Sequence, residues 1–358
     1  MIYVHIPFCR SFCTYCDFYS EIAADSCRDR FAEALCSEIR ARKNEISDEV
    51  PTLYVGGGTP SVLPLSVFRS LFDTFAACGH GGPWAECTVE VNPEDIVEKG
   101  PAYVEGLLSL GVDRISMGVQ SFDDGILRWM NRRHDAARAL RAVRILRDAG
   151  VRNLSLDLIF GLPQLDESRW MESVEKALEC APEHLSAYQL SVEPGSELGR
   201  LADQGRFTEA DPEACRRQYE LLCARMAEAG YRHYEISNFA LPGREAVHNS
   251  AYWRRVPYVG FGPGAHSFDG KVRRWNGETL SDWQAEEERL SEENARVERI
   301  MLSLRTDTGE EADYLHKNCR EEILDRLLAA GELAEEGGRI RIPESRWFVS
   351  DGIIRELI

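Results

Sequence analysis

The sequence has no apolar run near the roughly 20 residues that span a bilayer, so no transmembrane helix is expected. Its start, MIYVHIPFC, has neither the basic opening nor the long apolar stretch of a signal peptide. Positive charge is scarce: 42 Lys and Arg against 60 Asp and Glu leave a net charge of -18. That argues against sequence-independent nucleic-acid binding, which needs a broad basic surface. The cysteines lack paired C-x2-C units with a fourth ligand nearby, which argues against a zinc site of the usual kind. Their odd number, 11 in 358 residues, argues against a disulfide framework. Free thiols without an export signal point to the cytoplasm.

What the chain does have is size and alternation. With 44% apolar and 28% charged residues it can bury a large core, and two domains are expected. Short β-branched runs at Ile2–Ile6, Thr52–Val55, Cys87–Val91, Arg114–Val119, Asn153–Phe160 and His184–Leu190 alternate with amphipathic helical runs. Phe31, Leu35 and Ile39 share one helical face, as do Ala139, Val143 and Leu146. The pattern predicts an α/β protein with a parallel sheet wrapped by helices. Six β-α units make an incomplete (β/α)6 barrel, with chemistry at the C-terminal ends of the strands. A helix is expected over about Asp211–Ala229, then a strand at Arg232–Ile236. A first domain is expected over 1–283, with an extension over about 195–283. Residues 284–358 then form a charged, helical connector (Gln284–Arg299) and a small helical or winged-helix-like domain, with a hairpin around Gly337-Gly338.

Cys9, Cys13 and Cys16 carry the strongest chemical signal. Three thiolates spaced C-x3-C-x2-C can hold an iron–sulfur cube by three corners, leaving one iron open to a small molecule. Phe12, Tyr15 and Phe18 offer hydrophobic cover. The other eight cysteines show no ligand spacing, and most read as small core residues. Gly56, Gly57 and Gly58, followed by Thr59, let the backbone approach a ligand closely at the end of the second strand. The turn is not a dinucleotide fingerprint. Glu90 and Asn92 end the third strand, where a carboxylate can hold an ammonium or a hydroxyl. Ser116, Gly118 and Gln120 share one face of the fourth strand. Arg132 can clamp a carboxylate. Asp157, inside an apolar strand, needs a hydroxyl or basic partner.

Taken in order, the cysteine loop, GGGTPS, the strand-end Glu90, RISMGVQSF and LDLIFGLP make a family resemblance. The chain resembles the radical S-adenosylmethionine proteins of the coproporphyrinogen III oxidase-like group, from Tyr3 to about Asn276. The resemblance implies a [4Fe-4S] cluster on Cys9, Cys13 and Cys16, with S-adenosylmethionine chelated to the open iron. It implies cofactor contacts from Gly57, Gly58, Thr59, Glu90, Gln120, Arg132 and Asp157, flanked by Tyr3 and Tyr15. Of the group's two main branches, the oxidases carry a fourth cysteine where this chain has Phe18, and an N-terminal arm where this chain has eight residues before Cys9. The heme chaperone branch, the HemW type, is similar in CDFYS, in YEISNFA and in H-N-x-x-Y-W, here His248 to Trp253. That branch implies heme as a bound group, acceptor hemoproteins as partners and His248 as the heme ligand, an imidazole being a common axial ligand. Tyr252 and Trp253 then offer flat aromatic area, Arg254 and Arg255 pair with propionates, and His266 stands as a second candidate ligand or a cofactor contact. Transient contact with membrane-bound acceptors fits heme delivery. The rivals are decarboxylation of porphyrinogen propionates and, less favoured, a heme-opening methyltransferase.

Overall fold

Six apolar runs of five to seven residues become parallel strands: β1 (Ile2–Ile6), β2 (Thr52–Gly57), β3 (Glu86–Val91), β4 (Arg114–Gln120), β5 (Leu154–Phe160) and β6 (His184–Gln189). The computed structural model describes residues 1–22, 25–47, 49–280 and 283–358. Each strand pairs in parallel with the next, starting with Ile2 beside Leu53 and ending with Phe160 beside Gln189. Helices return the chain between strands. The helix Ala136–Asp148 is typical: Asp135 caps its start by accepting from the Arg138 amide at 2.8 Å, and Ala139, Ala142, Val143 and Leu146 form its buried stripe. Strands covered on both faces read as near-continuous apolar runs, which is why their positions were legible.

The expected extension completes the sheet rather than standing apart from it. The helix Pro212–Glu228 leads into β7 (Arg232–Glu235) and β8 (Asn238–Ala240), and β8 lies antiparallel to β6. On the far side β9 (Val259–Phe261) pairs in parallel with β1. The order is β7-β8-β6-β5-β4-β3-β2-β1-β9, and among the described residues no ladder joins β7 to β9, so the barrel is incomplete.

A second sheet corrects the expected boundary at 283/284. It consists of β10 (His266–Phe268), β11 (Val272–Asn276) and β12 (Ala285–Arg289), so the boundary would fall between paired strands. Residues 285–289 were expected to be helical. Instead Glu288 and Glu287 sit opposite Arg273 and Arg274, and these cross-strand charge pairs favour the sheet. The helix begins only at Glu292, where Ser291 accepts from the Asn294 amide at 3.0 Å. Beyond it, β13 (Glu310–Glu311), β14 (Ala334–Glu336) and β15 (Arg339–Arg341) form a small sheet, with helices at Ala312–Asn318, Glu321–Ala329 and Ser350–Leu357. Ile300, Leu304, Leu315, Leu324, Ile340 and Trp347 are buried there.

Candidate functional site

The C-terminal ends of the six parallel strands open onto a cavity of about 830 Å³. Its lining gathers Cys9, Cys13, Cys16, Tyr15, Gly57, Gly58, Thr59, Glu90, Gln120, Arg132 and Asp157, which is every residue expected to hold the cluster or S-adenosylmethionine except Tyr3. The cysteine loop is pinned by its backbone. The Cys9 amide donates to Glu21 O (3.0 Å), the Thr14 amide to Met130 O (3.2 Å) and the Asn131 side chain to Phe12 O (2.7 Å). All three thiols are half-buried, and burial pushes Cys16 up to about 11 and raises Cys9 as well. Cys9 and Cys16 are therefore poor anions on their own and need a positive centre to ionise them.

The neighbouring groups fit that requirement. Gly58 lies so close that a Cβ built there would stand 3.1 Å from Cys9 Sγ and 3.0 Å from Phe8 O. The Arg132 guanidinium donates to Cys13 Sγ at 3.5 Å, to Asn92 Oδ1 at 2.7 Å and to Gly118 O at 2.6 Å. Its Nε is buried and, among the described residues, has no hydrogen-bond partner. A buried guanidinium against the Cys13 thiol suits an anionic cluster. Asn92 also donates to Thr59 Oγ1 at 3.1 Å, and Thr59 Oγ1 lies 3.4 Å from Cys9 Sγ, so β2, β3 and the cysteine loop are linked side chain to side chain.

Glu90 accepts from the Tyr54 hydroxyl at 2.6 Å and from the Gly57 amide at 3.1 Å. Burial outweighs those bonds and pushes its carboxyl up to about 7. A bound ammonium would return it to the ionised form. The Gly57 amide points this way because its φ is +112°, a conformation open to glycine; a Cβ there would also meet the His5 ring at 2.7 Å. Asp157 is raised by burial and held by the Ser186 and Ser116 hydroxyls, the latter 3.3 Å away. Gln120 has φ +68° where the β4–β5 register shifts, a strained position that costs about 1–3 kcal/mol and is typical of binding sites. Behind the wall, burial raises Glu94, but His134 (3.2 Å) and Arg132 more than offset it and hold the carboxyl down to about 2.

Tyr3 and the residues expected around heme lie elsewhere. Tyr3 is beneath the cavity, its hydroxyl 3.1 Å from His5 Nδ1 and its ring stacked on Tyr54 at 6.1 Å. It supports Tyr54 rather than lining the space. His248 is 1% exposed in the short helix Val247–Trp253. Its Nδ1 lies 2.8 Å from Thr52 Oγ1 and its Nε2 3.0 Å from the Tyr252 hydroxyl, so neither ring nitrogen faces open space. Burial lowers it to about 3. Glu86 accepts the Val247 and His248 amides at 2.8 and 3.1 Å and anchors the helix, while the adjacent Asn249 reaches the cavity. Arg255, expected to pair with a propionate, donates through Nε to Glu298 at 2.8 Å. Arg254 and His266 are exposed, His266 stacked on Trp275 at 6.2 Å. Phe18, in place of a fourth cysteine, is 65% exposed at the cavity mouth.

Tyr54, Ser186 and Tyr188 line the cavity without having been marked by the sequence. A signal existed for Tyr54: Thr52, Tyr54 and Gly56 alternate along one face of β2, as Ser116 and Gly118 do along β4.

Comparison with known proteins bears on this site. Residues 3–177 match the Radical SAM superfamily. The heme chaperone HemW of Mycobacterium tuberculosis (strain H37Rv) is 32% identical over 373 aligned positions, spanning 100% of this chain and 94% of that protein. The heme chaperone HemW of Synechocystis is 34% identical over 325, spanning 86% and 78%. Among solved structures, the coproporphyrinogen III oxidase HemN of Escherichia coli, a radical SAM enzyme, superposes with a TM-score of 0.82 over 99% of this chain and 88% of that one, at 21% identity. That last likeness carries the fold.

Proposed function

The chain belongs to the HemW family within the radical SAM superfamily, and we propose that it is a heme chaperone, one that binds heme beside a cofactor-loaded barrel and passes it to acceptor hemoproteins. The observation that carries this reading is an adjacency. The H-N-x-x-Y-W helix lies against the cavity, with Asn249 lining it and His248 hydrogen-bonded to Thr52, two residues before Tyr54, its ring 5.2 Å from that of Tyr54.

In this reading Cys9, Cys13 and Cys16 hold the family's [4Fe-4S] cluster. Together with S-adenosylmethionine it supplies one-electron chemistry at a sulfonium. Arg132 faces the negative charge of the thiolates from beside Cys13. Glu90 and the Gly57-Gly58 backbone receive an ammonium and its neighbours. Thr59, Gln120 and Asp157 complete the polar lining, and Tyr15 covers it from the cysteine loop. Tyr3 acts through Tyr54.

His248 is the proposed heme ligand. With its basicity lowered to about 3 it stays neutral at physiological pH, the form that binds a metal. To reach an iron it must give up Thr52, Tyr252 or both. Among the described residues no helix is long and apolar enough to cross a membrane.

The test uses anaerobically reconstituted wild type and His248→Ala. Heme is titrated by absorbance, transfer to an apo-globin is followed, and coproporphyrinogen III decarboxylation is assayed in the same samples. Binding and transfer in wild type, lost at least tenfold in the variant, with no decarboxylation, is the expected result. Turnover of coproporphyrinogen with heme binding indifferent to the substitution would replace the chaperone with an oxidase.

A further inference from the structure

Away from the cavity, three side chains with metal-ligating atoms converge where the barrel meets the C-terminal region. Cys223 comes from the helix Pro212–Glu228, His233 from β7, and Glu344 from the short 3-10 helix Glu344–Val349. Their ligand atoms lie within 4.8 Å of one another. We propose that Cys223, His233 and Glu344 bind a divalent cation of the zinc class, tying the C-terminal region to the barrel.

The distances suit it. Zinc bond lengths at tetrahedral angles put sulfur and nitrogen about 3.6 Å apart and nitrogen and oxygen about 3.4 Å apart. Cys223 Sγ is 3.7 Å from His233 Nδ1, already at that separation. Glu344 Oε1 is 2.8 Å from the same nitrogen and must withdraw by about half an ångström to admit an ion. Glu344 can do so, its side chain being 53% exposed.

His233 cannot move, and that is the second argument. Its side chain is 4% exposed, stacked on Phe239 at 4.0 Å and edge-on to Trp347 at 4.4 Å. Its other nitrogen, Nε2, lies 3.4 Å from Ile236 O and 3.4 Å from the Tyr219 hydroxyl. Ligating histidines use that pattern, one nitrogen on the ion and the other on a carbonyl or hydroxyl that fixes the ring. Charge closes as well: a thiolate and a carboxylate neutralise a divalent ion, and the thiol proton leaves to solvent. A cavity of about 450 Å³, lined by both Cys223 and Glu344, leaves room for a water or small anion as fourth ligand.

The residues come from three elements, 10 and 111 positions apart, so no local spacing announces them. Cys223 is thus an exception to the expectation that most cysteines outside the loop are core filler.

The experiment is elemental analysis of the full chain with its cluster loaded, dialysed against zinc and passed through a desalting column. Wild type, Cys223→Ser, Glu344→Gln and a Cys319→Ser control are compared, with iron counted in the same samples. The proposal expects one zinc per chain in wild type and in the control. It expects zinc lost in Cys223→Ser and bound at least tenfold more weakly in Glu344→Gln, with iron unchanged throughout. Zinc should raise the melting temperature of wild type and leave that of Cys223→Ser where it was. Absence of zinc from wild type, equal zinc in Cys223→Ser, or zinc gained only at the expense of iron would overturn it. Because Glu344 is on the surface, its variant keeps the test valid if Cys223→Ser fails to fold.

Discussion

Thr52 and Tyr54 lie on the same face of β2 and serve opposite kinds of site. Tyr54 donates to Glu90 in a cavity that is short of partners: Arg132 has an unfilled Nε, Glu90 is held near 7, and Gln120 sits in a strained conformation. Thr52 meets His248, where the bonding is complete: both ring nitrogens are taken and the imidazole is sealed from solvent. On the proposed reading the upper level is preformed for a charged cofactor, and the lower level is latched, its ligand appearing only when hydrogen bonds are broken. A permanent cofactor and a transferable cargo call for these two designs, since cargo must leave as well as bind.

The largest break in this comparison comes from the cysteines. Replacing any one of Cys9, Cys13 or Cys16 by Ala removes a corner of the cluster, and iron per chain after reconstitution should fall to background while His248-dependent heme binding remains. Next is Gly57→Ala. With φ at +112° and the His5 ring at 2.7 Å, the added methyl should cost about 1–3 kcal/mol and swing the amide away from Glu90. Chemical denaturation measures the first effect and S-adenosylmethionine titration the second, which should weaken about tenfold for a lost charge-assisted bond.

The latch makes a prediction of opposite sign. Tyr252→Phe or Thr52→Val frees one nitrogen of His248 and should tighten heme binding by roughly threefold to tenfold, the worth of one hydrogen bond. Loss of affinity in both would mean that these hydroxyls help to hold heme rather than to withhold its ligand.

The smallest effect is a pH dependence. A carboxyl whose folded value is raised from 4.5 to about 7 contributes stability that is fully present below 4.5 and lost as pH rises through 7. His248, lowered to about 3, runs the other way, losing its contribution as pH falls below 6.5. Comparing wild type with Glu90→Gln isolates the first. Without cofactors the variant should gain on wild type by on the order of a few °C in melting temperature between pH 5 and pH 8. A constant difference would mean that Glu90 is ionised throughout.

The cofactor level was legible because its parts are local in sequence. The cysteine loop and the glycine turn each lie within a few residues of a strand end, and a buried parallel strand announces itself as an apolar run. The latch was half legible. H-N-x-x-Y-W marked His248, but its partner Thr52 is 196 positions away, and sequence does not tell a closed imidazole from an open one. Residues 285–289 misled because a run of glutamates reads as helix when its arginine partners on β11 are not in view. The cluster of Cys223, His233 and Glu344 was invisible for the same reason of distance.

The most direct test of the latch is stopped-flow heme binding to the reconstituted protein. If His248 must first be released, the observed rate should level off as heme concentration rises, and Tyr252→Phe should raise that plateau. A rate that climbs linearly with heme and ignores the substitution, with binding retained in His248→Ala, would contradict the account.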